Sequence, residues 1–147
     1  MSKNHVDKQA LIDGLNEDLA NEYQAVITYL TYAACVSGIH RQELKEFFEQ
    51  EIQEELQHAQ FLANKIAALG GKPVTVPANV PYTENPKEML ENVLKAESET
   101  IQRYVKRMKQ AEAYGDYGLA NDLHDIISDE TRHKEETEKI LKGYSGD

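Results

Sequence analysis

The chain has a single cysteine, Cys35, among its 147 residues. One thiol cannot close an intrachain disulfide, and it cannot build the Cys-rich sites that hold structural zinc or a rubredoxin-like iron. Basic residues are also in the minority: 16 Lys and Arg face 26 Asp and Glu, a formal net charge of −10. Phosphate binding needs a basic surface, so no nucleic-acid partner is expected. The acidic balance suits a soluble protein, and equally one that attracts cations. The opening Met1-Ser-Lys-Asn-His-Val-Asp has no apolar signal region, and no hydrophobic run approaches bilayer-spanning length. A cytoplasmic protein with no membrane partner is therefore expected.

Proline is scarce and concentrated. Three of the four prolines (Pro73, Pro77 and Pro81) fall between Gly71 and Glu84, which reads as an extended, non-helical segment. On either side the punctuation is helical. Asp7 is a cap candidate for a first helix over about 8–36, which Ser37-Gly38 stops. A second helix runs over about 41–69, to Gly70-Gly71. Asn85-Pro86-Lys87-Glu88 predicts a capped start for a third over 86–114, ended by Gly115. Asp116 caps a fourth over 117–142, ended by Gly143. Short links within each pair and one long link between pairs predict a single all-α domain over 1–147. Its architecture is a ferritin-like four-helix bundle, two antiparallel hairpins joined by a long crossover.

The apolar seams carry an anomaly. Steps of four and three trace Leu11, Leu15, Leu19, Glu22, Val26, Tyr29 and Ala33 in the first helix. The third gives Leu90, Leu94, Glu97, Ile101, Tyr104, Met108 and Ala111; the fourth gives Leu119, Leu123, Ile126, Glu130, His133, Thr137 and Ile140. The second, less regular, gives Leu44, Phe48, Glu51, Glu55, His58, Leu62 and Leu69. Every helix thus places a glutamate in its core stripe, and two of these are followed three residues later by a histidine on the same face. A lone carboxylate in apolar surroundings loses solvation worth several kcal/mol, and Lys and Arg are nearly absent from the seams. Two divalent ions would balance Glu22, Glu55, Glu97 and Glu130, with neutral His58 and His133 adding nitrogen ligands. One Glu from each of two helices, plus Glu-x-x-His from the other two, is the ligand pattern of di-iron carboxylate bundles. The halves superpose at an offset of 75, which also matches Tyr29 with Tyr104 and Ile52 with Ile127. Such a repeat suits a centre with near two-fold symmetry. Tyr29, Glu51 and Glu54 are candidates for partners of the ligands, a solvated acidic face being the plainer reading of Glu51 and Glu54.

Asn21-Glu22-Tyr23-Gln24, Glu54-Glu55-Leu56-Gln57-His58, Leu69-Gly70-Gly71-Lys72-Pro73 and Asp129-Glu130-Thr131-Arg132-His133 resemble the ferritin superfamily. Within it the chain is similar to bacterioferritin and bacterioferritin-like (Dps-like) cage proteins, over about residues 8–142. The resemblance implies that Glu22 and His58 bind one iron, Glu97 and His133 the other, and that Glu55 and Glu130 bridge them. It also implies ferroxidase activity, with Fe(II) oxidised by oxygen or hydrogen peroxide and stored in a hollow homo-oligomeric cage. Bacterioferritins bind haem through a methionine directly after the second helix's bridging glutamate; Leu56 stands there, so haem is not expected. The chain ends at Gly143-Tyr144-Ser145-Gly146-Asp147, without the fifth helix of large ferritin cages, so a smaller cage or a dimer is in play.

Mixed oxygen and nitrogen ligands suit iron and also manganese. The alternative function is a di-iron or di-manganese peroxidase of rubrerythrin or manganese-catalase type. A DNA-shielding cage is disfavoured by an N-terminal tail with only Lys3 and Lys8. A metal-free structural bundle would require four separate carboxylate pKa shifts.

Overall fold

The computed structural model describes residues 2–144, with side chains from Asp7 onward. Ser145 to Asp147, on which the fifth-helix reading bears, and the side chain of Lys3 lie outside the described residues. Four helices account for the regular structure: α1 (Ser2–Cys35), α2 (Arg41–Ala68), α3 (Pro86–Tyr114) and α4 (Tyr117–Lys142). They form a ferritin-like four-helix bundle of two antiparallel hairpins, α1–α2 and α3–α4, which meet most closely where α1 packs on α3.

The caps follow local chemistry. The Asn85 side chain accepts from the Glu88 amide at 3.0 Å with Pro86 in the first turn, and the Asp116 side chain accepts from Leu119 N at 3.0 Å. Gly38 and Gly115, with φ of +99° and +98°, turn the chain inside each hairpin in a conformation that a Cβ would disfavour. Asp7 departs from expectation: it lies inside α1 and caps nothing. No glycine or proline precedes it to break the turn, so the helix propagates past it.

The crossover is fastened along one stripe of α1. The Asn16 side chain donates to Lys72 O at 3.0 Å and accepts from Val74 N at 2.9 Å. One turn on, Ala20 O accepts from Ala78 N at 3.0 Å; one turn further, Gln24 Nε2 donates to Asn79 O at 2.6 Å. The Tyr32 hydroxyl then donates to Pro81 O. An extended chain thus satisfies its backbone on a helix surface read every four residues.

The core is split in two. Leu11, Leu15, Leu19, Leu62, Ile66 and Leu123 anchor one apolar cluster, and Tyr29, Tyr32, Phe48, Leu90 and Val93 the other. The seam glutamates lie between them. Beside the first cluster is a buried ion pair that the seams did not reveal. Arg107, 3 % exposed, donates from Nε to Asp18 Oδ2 at 2.8 Å, and Asp18 is 2 % exposed. Gly14 makes room for the guanidinium: a Cβ there would lie 1.9 Å from Arg107 Nη1.

Gly14→Ala, favoured by helix propensity alone, is therefore expected to displace Arg107 and destabilise the fold by about 3 kcal/mol, because breaking a buried pair strands its carboxylate. Chemical denaturation checks this. The double variant Asp18→Leu, Arg107→Leu should recover most of the loss when added to Gly14→Ala.

Candidate metal centre

Glu22 from α1, Glu55 and His58 from α2 and Glu130 from α4 meet in the layer between the two apolar clusters. Each offers one ligand-type atom within 4.8 Å of the others, and all four residues are buried. His58 Nδ1 lies 3.4 Å from Glu130 Oε1, 3.8 Å from Glu22 Oε1 and 3.9 Å from Glu55 Oε1. These four of the six sequence candidates are thus brought together.

The other two stand slightly apart. His133 is turned toward α2, with Nδ1 2.7 Å from Glu51 Oε2 and Nε2 2.8 Å from Glu54 Oε2. Its Nδ1 remains 3.8 Å from Glu55 Oε1 and 4.0 Å from Glu130 Oε1. Glu97 is 3 % exposed and takes a hydrogen bond on Oε2 from the Tyr29 hydroxyl at 3.1 Å. The Tyr104 hydroxyl donates to Glu22 Oε1 at 2.6 Å. The tyrosines therefore cross over: each steadies the carboxylate on the other hairpin's first helix, not the one on its own. Glu51 is buried, which corrects the reading of that position as a solvated face, whereas Glu54 stays part-exposed.

The 75-residue repeat is visible in space and broken at one point. His58 Nε2 lies 3.5 Å from Asp129 Oδ2, the counterpart of the His133–Glu54 contact. Glu51 has no such counterpart, because its equivalent is Ile126.

Crowding shifts the ionisations. Burial, then the charges of Glu22 and Glu130, hold Glu55 well above the carboxylate range. Burial pushes Glu97 up to about 8 against the hydroxyls of Thr137 and Tyr29. Glu22 is held low, because the neighbouring Glu55 carboxyl, the charge of His58 and the Tyr104 hydroxyl outweigh its burial. Burial lowers both histidines, but Glu130 and Glu22 carry His58 up to about 10, and Glu51 carries His133 up to about 9. Eight buried polar atoms in this layer make no well-aligned hydrogen bond, although His133 Nδ1 and Glu51 Oε2 face each other at 2.7 Å: Glu22 Oε2, Glu51 Oε2, Glu55 Oε1, Glu97 Oε1, Glu130 Oε1, His133 Nδ1 and both His58 nitrogens. Buried polar groups are ordinarily satisfied. Eight such atoms in one layer, all oxygen or imidazole nitrogen and with no Lys or Arg among them, are the donor set that iron or manganese takes.

Sequence reading missed three features near the centre. Tyr29 is a sequence candidate and Tyr104 is not, although both donate to glutamates. Asp18 and Arg107 lie one position off the traced seams. The crossover contacts of Asn16 and Gln24 leave no trace but the spacing of polar residues on α1.

Known proteins share this fold. The chain is 52 % identical to a solved ferritin-like, diiron-carboxylate protein of Bacillus anthracis, with a TM-score of 0.90 over 92 % of this chain and 97 % of that one. It is 28 % identical to the bacterioferritin of Desulfovibrio desulfuricans over 90 % of this chain and 75 % of the relative. A crystal structure of that bacterioferritin, described with its diiron site, superposes with a TM-score of 0.85 at 25 % identity, covering 95 % of this chain and 82 % of that one. A Dps from Thermosynechococcus elongatus, 20 % identical, shares the fold with a TM-score of 0.86 over 95 % of this chain and 94 % of its own. Residues 12–145 match the ferritin-like domain, so the chain belongs to the ferritin-like family of diiron-carboxylate bundles.

Proposed function

We propose that the chain binds two ferrous ions between Glu22, Glu55, His58, Glu97, Glu130 and His133 and oxidises them with oxygen or hydrogen peroxide, as a ferroxidase of iron storage or detoxification in a homo-oligomeric assembly. The observation that carries this reading is the layer of eight buried carboxylate and imidazole atoms with no well-aligned hydrogen bond and no Lys or Arg among them. Family membership and likeness to a bacterioferritin support it.

The paired metals would supply two one-electron donors and a Lewis-acidic surface for the oxidant. Two Fe(II) give up two electrons; with two protons these turn one hydrogen peroxide into two waters, or one dioxygen into one hydrogen peroxide. The protein holds the donors in place beforehand. Tyr29 and Tyr104 fix one oxygen of Glu97 and one of Glu22, leaving Glu97 Oε1 and Glu22 Oε2 without a partner. Glu51 and Glu54 hold His133 in a metal-free position close to the bridging carboxylates. The apolar clusters on either side keep bulk water from the layer.

Aerobic addition of Fe(II), followed by optical absorbance and particle size, tests the activity. Rapid oxidation with many irons retained in a large particle is expected. The variant Glu55→Ala, Glu130→Ala should oxidise more than roughly tenfold slower. Retention of only two irons with fast peroxide consumption would favour the peroxidase alternative, and equal rates in the variant would refute the metal reading.

The ionisations give a second expectation. Glu97 is raised from 4.5 to about 8, so its contribution to folding is full below 4.5 and lost as pH rises through about 8. The histidines, raised from 6.5 to about 10 and about 9, contribute fully below 6.5 and lose that contribution as pH climbs through those values. All three act in one direction. The Tm of metal-free protein should fall by roughly 5–10 °C between pH 6 and pH 9. Saturating Co(II), a redox-inert probe that binds the deprotonated ligands, should abolish the fall. A flat metal-free profile in differential scanning calorimetry would contradict the assignment.

A further inference from the structure

We propose that metal and oxidant reach this centre from opposite faces of the bundle, the oxidant through a port between α1 and α3 and the cation through the seam between α2 and α4. The inference rests on the metal-oxidising function proposed above. A cavity of about 30 Å³ lies between α1 and α3, and its inner wall includes Glu22, Glu55, Glu97 and Glu130. Its outer residues Asn21, Gln24, Pro81, Asn92 and Ala96 are shared with a vestibule of about 260 Å³ beneath the crossover. The two spaces form one route from the surface to the acids.

Size and charge decide what travels along it. A space of that volume holds two or three molecules the size of water, at roughly 10–15 Å³ each. Dioxygen and hydrogen peroxide fit that limit; a cation with its hydration sphere does not. The neck supplies amides and hydroxyls, such as Asn21, Asn92, Thr28 and Thr100, and no carboxylate that would replace the lost water before the centre itself. At the mouth Lys95 and Arg103 outnumber Glu99, which opposes cations and favours neutral or anionic molecules.

The other face has the reverse character. Glu54 and Asp129, both part-exposed, converge with His58, and Glu51 and Glu54 converge with His133, each group within 4.8 Å. Among the described residues one Arg or Lys side chain reaches these two carboxylates, Arg132, 3.0 Å from Asp129 Oδ1 and 3.6 Å from Glu54 Oε1; it is 61 % exposed, so the carboxylates stand at the solvent end of this seam. The port itself is firmly framed. Gln24 holds Asn79 O at 2.6 Å, Asn92 Nδ2 donates to the Tyr32 hydroxyl at 3.1 Å, and that hydroxyl donates to Pro81 O.

Stopped-flow spectroscopy with two probes, Co(II) for the metal and azide for a small anion entering the cobalt-loaded protein, separates the routes without turnover. Ala96→Leu should slow azide association on the order of tenfold while Co(II) uptake keeps its rate and stoichiometry. The surface variant Lys95→Glu, Arg103→Glu should slow azide severalfold at low salt and little at high salt, which keeps the test decisive where Ala96→Leu fails to fold. Glu54→Gln, Asp129→Asn should slow Co(II) uptake severalfold, and uptake at the wild-type rate in this variant would overturn the cation route. Azide kinetics equal to wild type in both port variants, or Co(II) uptake slowed in step with azide, would overturn the two-face route while leaving the metal centre intact. Failure of the wild-type protein to take up Co(II) would overturn the metal centre and the routes together.

Discussion

Four carboxylates held at one level of a dry core repel one another, and the rest of the molecule is arranged around that repulsion. In water, charges a few ångströms apart interact by about 1 kcal/mol; in the interior the interaction is several times larger. Glu22, Glu55, Glu97 and Glu130 are each no more than 3 % exposed. Two imidazoles, two phenols and the Thr137 hydroxyl are set against them at close range. The apolar clusters on either side supply the folding free energy that such a layer consumes, with about 1.5–3 kcal/mol for each fully buried Leu or Phe. Stability is thus concentrated away from the centre, and the centre is left electrostatically unsatisfied.

The crossover shows how secondary demands are met without disturbing that layer. Joining two hairpins end to end requires a chain running the length of the bundle, and its backbone groups need partners. Asn16, Ala20 and Gln24 provide them at successive turns of α1. The same α1 helix that carries Glu22 inward therefore carries the strap outward. Distinct stripes of one helix serve the core and the connection.

Much of this was legible in the sequence because helical periodicity turns spacing into direction. Glu22, Glu55, Glu97 and Glu130 could be assigned inward because leucines one turn away fix which face is buried. Asn85 and Asp116 could be read as caps because capping depends on a few adjacent residues. Asp7 looked the same locally, and failed because nothing upstream stopped the helix. Arg107 and Asp18 escaped notice because a buried ion pair spans two helices and depends on the missing side chain at Gly14. The crossing of Tyr29 to Glu97 and Tyr104 to Glu22 was likewise invisible, since sequence distance favours partners on the same helix. Glu51 fell on the seam of α2, but a neighbouring run of acids made a solvated face its plainer reading, and the position of His133 shows what it meets in the interior.

The break in the repeat at Glu51 and Ile126 has a chemical consequence. A centre with true two-fold symmetry would present two identical pockets, and nothing would distinguish the ions within it. Here one hairpin's histidine has an additional carboxylate beside it, and the other has a branched hydrocarbon at the equivalent place. The two histidines therefore stand in unlike surroundings, and the metal centre proposed for this layer would lack exact two-fold symmetry, its two ends differing in what lies beside the imidazole.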